Sequence, residues 1–127
     1  VFIEGLKACG LMGNFIQFLI HEPEFARWGG SVGPFVMGMV TGTGDATAFA
    51  FNEAVTPSAH QFGFLPENLG AGVMYAACVG RNMSPIAGAT IVCAGLAGVN
   101  PLAVAKRTAL GMIISLLAIA LLWMGMQ

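Results

Sequence analysis

Charge is scarce in this chain. Only 9% of its 127 residues are charged, 57% are hydrophobic, and the mean hydropathy is +0.80. An average soluble domain is roughly 25% charged, so these residues cannot supply a soluble fold of this length with a polar shell. Five basic residues stand against six acidic ones, a net charge of −1. That leaves no basic patch and argues against a nucleic-acid partner. Cysteine is equally sparse. Cys9, Cys78 and Cys93 have no CxxC spacing and no His at ligand distance in the sequence, so they read as small packing residues and not as a metal centre or a disulfide framework. His is absent from the embedded apolar segments, and no HExxH occurs. No cofactor is implied. No charged n-region of a signal peptide is visible, and the chain starts at Val1 inside an apolar pattern. It is therefore expected to be the C-terminal part of a longer protein.

What is present is apolar sequence in long runs, with eighteen Gly and eight Met. Small residues let helix backbones approach in lipid. About 20 apolar residues cross a bilayer core, and Val1 to Ile20 reads as one such helix, with Gly10 and Gly13 on a packing face. His21 to Ser31 reads as a polar loop with an interfacial Trp28, and Pro57 to Asn68 as a second loop carrying a solvated His60. Pro101 to Thr108 reads as a short interfacial helix, and Ala109 to Met126 as the last span. Lys106 and Arg107 put their loop in the cytoplasm by the positive-inside rule.

Two apolar segments are broken in the middle. Val32 to Thr56 is interrupted by Thr41-Gly42-Thr43-Gly44-Asp45, and Leu69 to Val99 by Gly80-Arg81-Asn82-Met83-Ser84-Pro85. A break frees backbone N–H and C=O groups that lipid cannot satisfy. Such backbone persists where protein or a water-filled cavity covers it, and paired broken helices mark the binding site of a secondary transporter. The halves of Val32 to Thr56 are each too short to cross, which favours a re-entrant hairpin over one broken span. In the second segment Gly80 is a candidate left-handed helix end, Ser84 a candidate N-cap and Pro85 a candidate first helical residue. The new half-helix would then present free N–H groups to an anion. The structural alternative is a plain Pro kink. In the first break Asp45 or Thr43 can cap the following helix. Asp45, Asn52, Glu53 and Thr56 share one face of that helix, and Thr47 and Phe51 share the other. A charge at the bilayer centre costs about 2.5–3.5 kcal/mol, so Asp45, Glu53 and Arg81 are expected either to pair structurally or to serve a site.

The stretches TGTGDATAFAFNEAVTP and GRNMSPIAGATIVCAGLAGVNP resemble the C-terminal region of the anaerobic C4-dicarboxylate carriers of the DcuC type, within the ion transporter superfamily. The likeness runs from about Glu4 to Gly111. It implies an all-α membrane protein in which 1–127 is most of the second of two inverted repeats. That repeat would hold a transmembrane helix, a re-entrant helical hairpin, a broken transmembrane helix and a final transmembrane helix. The N-terminal repeat would lie elsewhere in the protein. The hairpin tip falls on Thr41 to Asp45 and the helix break on Gly80 to Pro85. Better-characterised dicarboxylate carriers of the superfamily have a Ser-Asn-Thr type of tip. Here it reads Thr-Gly-Thr-Gly-Asp, so the resemblance does not carry over the coupling ion, proton or sodium.

The resulting expectation is a secondary carrier, not an enzyme, multi-pass in a bacterial inner membrane, exchanging, taking up or releasing fumarate, succinate, malate or aspartate. Thr41, Gly42, Thr43, Gly44, Arg81, Asn82, Ser84 and Pro85 are the expected substrate contacts, and Asp45, Asn52 and Glu53 the expected ion-coupling residues. The partners are a small dicarboxylate, the bilayer and the N-terminal half of the same protein. The Gly-rich faces leave a homodimer open. A cation/proton antiporter with Asp45 as ion ligand is the alternative within this architecture. A membrane-embedded enzyme lacks a nucleophile–base pair or metal cluster here, and a purely structural subunit has no use for two broken helices.

Overall fold

The computed structural model describes residues 5, 8–10, 14, 21 and 23–125. The expected first span, 1–20, lies largely outside the described residues. Within it Gly10 has φ +66 and lies in a turn. Among the described residues the regular structure is wholly helical. Helix α1 covers Pro23–Thr41 and α2 Gly44–Val55. A 3₁₀ helix, Thr56–Phe62, leads to α3 over Pro66–Asn82. Helix α4 covers Gly88–Ala97 and α5 Pro101–Gly125.

Several boundaries differ from the sequence expectation, each for a local reason. Residues 23–31 are helical and not a loop, because Pro23 can open a helix at its first position, where no N–H is needed. The 19 residues of α1 are about 28 Å long, so the first half of the broken segment is much longer than expected. Gly80 does not end α3; the helix runs on to Asn82. Pro101–Thr108 is not a separate interfacial helix. It continues without a break into the final 25-residue helix, and the Asn100 side chain accepts the Leu102 N–H at 2.9 Å at its start. Helix α4 stops at Ala97 because Gly98 takes a left-handed conformation and closes it.

Helix α3 is the centre of the assembly and packs on α1 more than on any other element, then on α2 and α5. The α1–α3 contact is backbone on backbone. A Cβ on Gly38 would strike the Ala77 carbonyl, and one on Gly80 would strike the Phe35 carbonyl. Beside this crossing, Phe51, Val55, Ala59, Phe64, Leu69 and Val73 form the apolar core, with Met37 and Ala54 against it. Helix α2 runs antiparallel to α3: its first residue, Gly44, lies by Cys78 and Arg81, and its Asn52 amide reaches the Gly70 carbonyl at 3.4 Å.

The outer elements are different. Ile91, Val92 and Leu96 on α4, and Leu110, Ile114, Leu121 and Leu122 on α5, are all exposed. Among the described residues, Pro101–Leu122 is the one helical stretch long and apolar enough to cross a membrane, and α4 is apolar but too short.

Replacing Gly38 or Gly80 by Ala should destabilise the protein by about 1–3 kcal/mol, the usual range for overpacking. Gly111→Ala, where no atom lies within 4 Å of the added Cβ, should not. Thermal melting of the three detergent-solubilised variants checks this; equal melting temperatures would contradict the backbone contact.

Candidate functional site

Both sequence breaks survive as breaks between helices, and the fold brings them together. Between α1 and α2 the chain turns through Gly42 and Thr43, and Gly42 has φ +68. A Cβ on Gly42 would sit 3.1 Å from Ile86 Cγ1 and 3.2 Å from the Ala87 nitrogen. On Gly44 it would sit 3.2 Å from Cys78 Cα and 3.5 Å from Arg81 Cδ. The first turn therefore abuts both sides of the second break: the end of α3 and the start of α4. The two glycines are there because backbone must pass this close.

The Thr41 hydroxyl organises the first turn. It donates to the Met37 carbonyl at 2.8 Å, accepts the Thr43 N–H at 3.3 Å, and lies 3.0 Å from the buried Thr47 hydroxyl. Thr43 holds the N-cap position of α2 with extended backbone, but makes no side-chain cap. Its hydroxyl lies 3.2 Å from that of Thr41 instead. Asp45 is not the cap either. It occupies the exposed first turn of α2, where its charge favours the helix N-terminus.

The second break lies at Met83–Ala87, slightly later than expected. Ser84 is not an N-cap of α4 and Pro85 is not its first residue; Ala87 holds the cap position, with no side-chain cap. The Ser84 N–H is still bonded to the Arg81 carbonyl at 2.9 Å, so Ser84 belongs to the closing turn of α3. Its side chain is wholly buried and accepts the Ile86 N–H at 3.3 Å. The hydroxyl thus satisfies backbone inside the break and stabilises the turn.

The expected site residues divide into two groups. Thr41, Gly42, Thr43, Gly44, Arg81, Asn82, Ser84 and Pro85 all lie at the meeting of the two breaks, with Asp45 beside them. Asn52 and Glu53 lie about two turns further along α2. Asn52 binds Gly70 of α3 and the Thr56 hydroxyl, the latter at 2.9 Å. Glu53 is exposed. The two-faced reading of α2 holds in part: Thr47 and Phe51 are buried and Asp45 and Glu53 are exposed, but Asn52 and Thr56, expected on the same face as Asp45, are half-buried, with Asn52 bonded to α3. Among the described residues no ion pair joins Asp45 to Arg81, and both are exposed. No group of described residues could hold a metal ion. Sequence reasoning missed Thr47 as the buried partner of Thr41. It also missed α5, whose Thr108 hydroxyl lies 3.3 Å from the Asn82 carbonyl and whose Lys106 lines an apolar groove with Pro85 and Ile86. Nothing in local sequence spacing points to either.

The turn after α1 thus abuts the break after α3, and the outer helices α4 and α5 expose apolar side chains. The chain belongs to the DcuC family: the model for the C4-dicarboxylate anaerobic carrier matches residues 1–127. An uncharacterized transporter of Haemophilus influenzae is 54% identical over 121 residues, covering 95% of this chain and 43% of the relative. The anaerobic C4-dicarboxylate transporter DcuC of Escherichia coli K12 is 32% identical over 129 residues, covering 94% of this chain and 26% of the relative. The chain thus spans less than half the length of either relative. Both are named as transporters, and neither name supports a cation/proton antiporter. No solved structure matches the chain.

Gly42→Ala should cost roughly 1–2 kcal/mol for the left-handed conformation alone, and more once the methyl meets Ile86 and Ala87. Ser84→Ala removes one net hydrogen bond and should cost about 0.5–1.5 kcal/mol. Denaturation of the purified variants measures both. A neutral Ser84→Ala would show that the hydroxyl does not hold the break.

Proposed function

We propose that this chain is the second-repeat part of a secondary carrier for C4-dicarboxylates, multi-pass in a bacterial inner membrane. The observation that carries the reading is the contact of the Gly42–Gly44 turn with the Arg81–Ala87 break, in a member of the DcuC family. The starts of α2 and α4 have no side-chain caps and lie at that contact, where a Cβ on Gly42 would meet the Ala87 nitrogen, and helix N-termini favour anions. Thr43 and Asn82, both exposed, would add hydrogen bonds to a carboxylate and Arg81 the countercharge, while the buried Ser84, expected as a contact, would act by holding the break. The other wall of the pathway would come from the N-terminal repeat. In this reading α1 and α2 form a hairpin that enters and leaves the membrane from outside, and the polar face of α2 looks onto the pathway. The carrier would exchange, take up or release fumarate, succinate, malate or aspartate.

Asp45 raises a conflict, since a carboxylate beside a dianionic substrate repels it. Pairing with Arg81, protonation or a bound coupling cation would each resolve it. Asp45 and Arg81 are both exposed and form no ion pair with each other, which favours the coupling role, with a proton or sodium as the ion.

Two measurements test the proposal. Full-length protein in liposomes should exchange internal succinate for external fumarate. Asp45→Asn should abolish gradient-driven accumulation and spare part of this exchange, because the amide mimics the loaded state. A variant that still accumulates substrate at wild-type rates would remove Asp45 from coupling, and absence of exchange in the wild type would remove the substrate class. Separately, cysteines placed at His21 and Ser58 should both react with an impermeant thiol reagent from outside the cell. Reaction from opposite faces would make α1 and α2 one crossing element.

A further inference from the structure

The groove beside the second break is unlike the substrate site described above. It measures about 430 Å³, and its surface is almost wholly apolar. Val40 of α1, Met83 and Ile86 of the break, and Leu102 of α5 are among its walls, and Lys106 is its one charged lining residue. The groove surface is apolar and Lys106 is exposed, as when a lysine lays its methylene stem along an apolar wall and keeps its ammonium in a polar setting. Arg107 is next to it and exposed.

These two cations have no protein counter-ion nearby in sequence. No Asp or Glu follows Glu67, whereas Arg81, Lys106 and Arg107 all do. Lys106 and Arg107 also fall inside the membrane-crossing stretch Pro101–Leu122, one to two turns from its start. Cations placed there call for an anion or an aqueous route. A small dicarboxylate would meet apolar walls and no charged lining residue other than Lys106 along the groove. A molecule with a long apolar tail and an anionic head matches both parts. The groove also opens onto the exposed apolar surface of Val40, Ile86 and Leu102, where acyl chains would arrive.

We infer that this groove holds an acyl chain of an anionic phospholipid, whose phosphate rests on Lys106 and Arg107. Basic pockets between helices at the cytoplasmic side attract such headgroups, and the positive-inside rule puts these residues on that side. The inference rests on the membrane placement proposed above and not on the identity of the transported acid.

The test is native mass spectrometry of the full-length protein titrated with phosphatidylglycerol or phosphatidylcholine of equal chain length. The wild type should bind phosphatidylglycerol more tightly. The double variant Lys106→Gln with Arg107→Gln should lose roughly 30-fold in phosphatidylglycerol affinity, about tenfold or less per cation removed, and keep its phosphatidylcholine affinity. Ala105→Phe, which narrows the groove, should weaken both lipids. The charge-preserving pair Lys106→Arg with Arg107→Lys should behave as wild type, which separates loss of the phosphate contact from misfolding. Equal affinity for the two lipids in the wild type, or unchanged binding in the double glutamine variant, would overturn the inference. So would displacement of phosphatidylglycerol by succinate, which would give Lys106 to the substrate path. No bound lipid at all would give the groove to another part of the longer protein, and would overturn it equally. Lipid binding is read without a transport assay, so failure here and failure of the carrier proposal are separate results.

Discussion

The close crossing of α1 and α3 is the contact on which the other contacts depend. Gly38 and Gly80 let each helix press against the other's backbone at Ala77 and Phe35. In lipid no hydrophobic force drives helices together, so close van der Waals contact between small residues carries the association. Once α1 is seated on α3, its C-terminal end must emerge next to the C-terminal end of α3. The turn after α1 and the break after α3 then meet. The core formed by Phe51, Val55, Leu69 and Val73, with Met37 of α1 against it, fastens the return helix α2 to α3.

Each break must satisfy its freed backbone, and each does so with a hydroxyl. Thr41 takes the Thr43 N–H and binds the Met37 carbonyl. Ser84 takes the Ile86 N–H. Both hydroxyls are short and belong to the break itself, so the turns hold together without a ligand. Neither Thr43 at the start of α2 nor Ala87 at the start of α4 makes a side-chain cap. A helix start without a cap is a natural place for an anion, and two such starts converge here.

The exposed surface has two characters. On α2, Asp45 and Glu53 face away from the buried Thr47 and Phe51. On α4 and α5 the outward residues are Ile, Val and Leu, with Leu96 86% exposed. A polar stripe and an apolar sheath on one small helical unit suit a chain that meets water or protein on one side and lipid on the other. The family's relatives are more than twice as long as this chain, which leaves ample sequence to cover the polar side.

The amino-acid sequence determined the class, the two breaks and the buried face of α2. Composition excludes a soluble shell, Gly and Pro interrupt helices wherever they cluster, and the helical repeat assigns faces without reference to any neighbour. It did not determine how the breaks are used. Gly80 has the character of a helix end, yet it is a helix interior, because its role is to admit the Phe35 backbone. Ser84 and Pro85 have the character of a helix start, yet they close the preceding turn, because the Arg81 carbonyl had already engaged the Ser84 N–H. Lys106 and Arg107 have the character of a short interfacial helix, yet they ride on the long final helix, where Lys106 lines the groove beside the break. Each of these depends on a residue far away in the chain, or on which of two local hydrogen bonds forms. Local spacing contains neither piece of information, and only packing decides them.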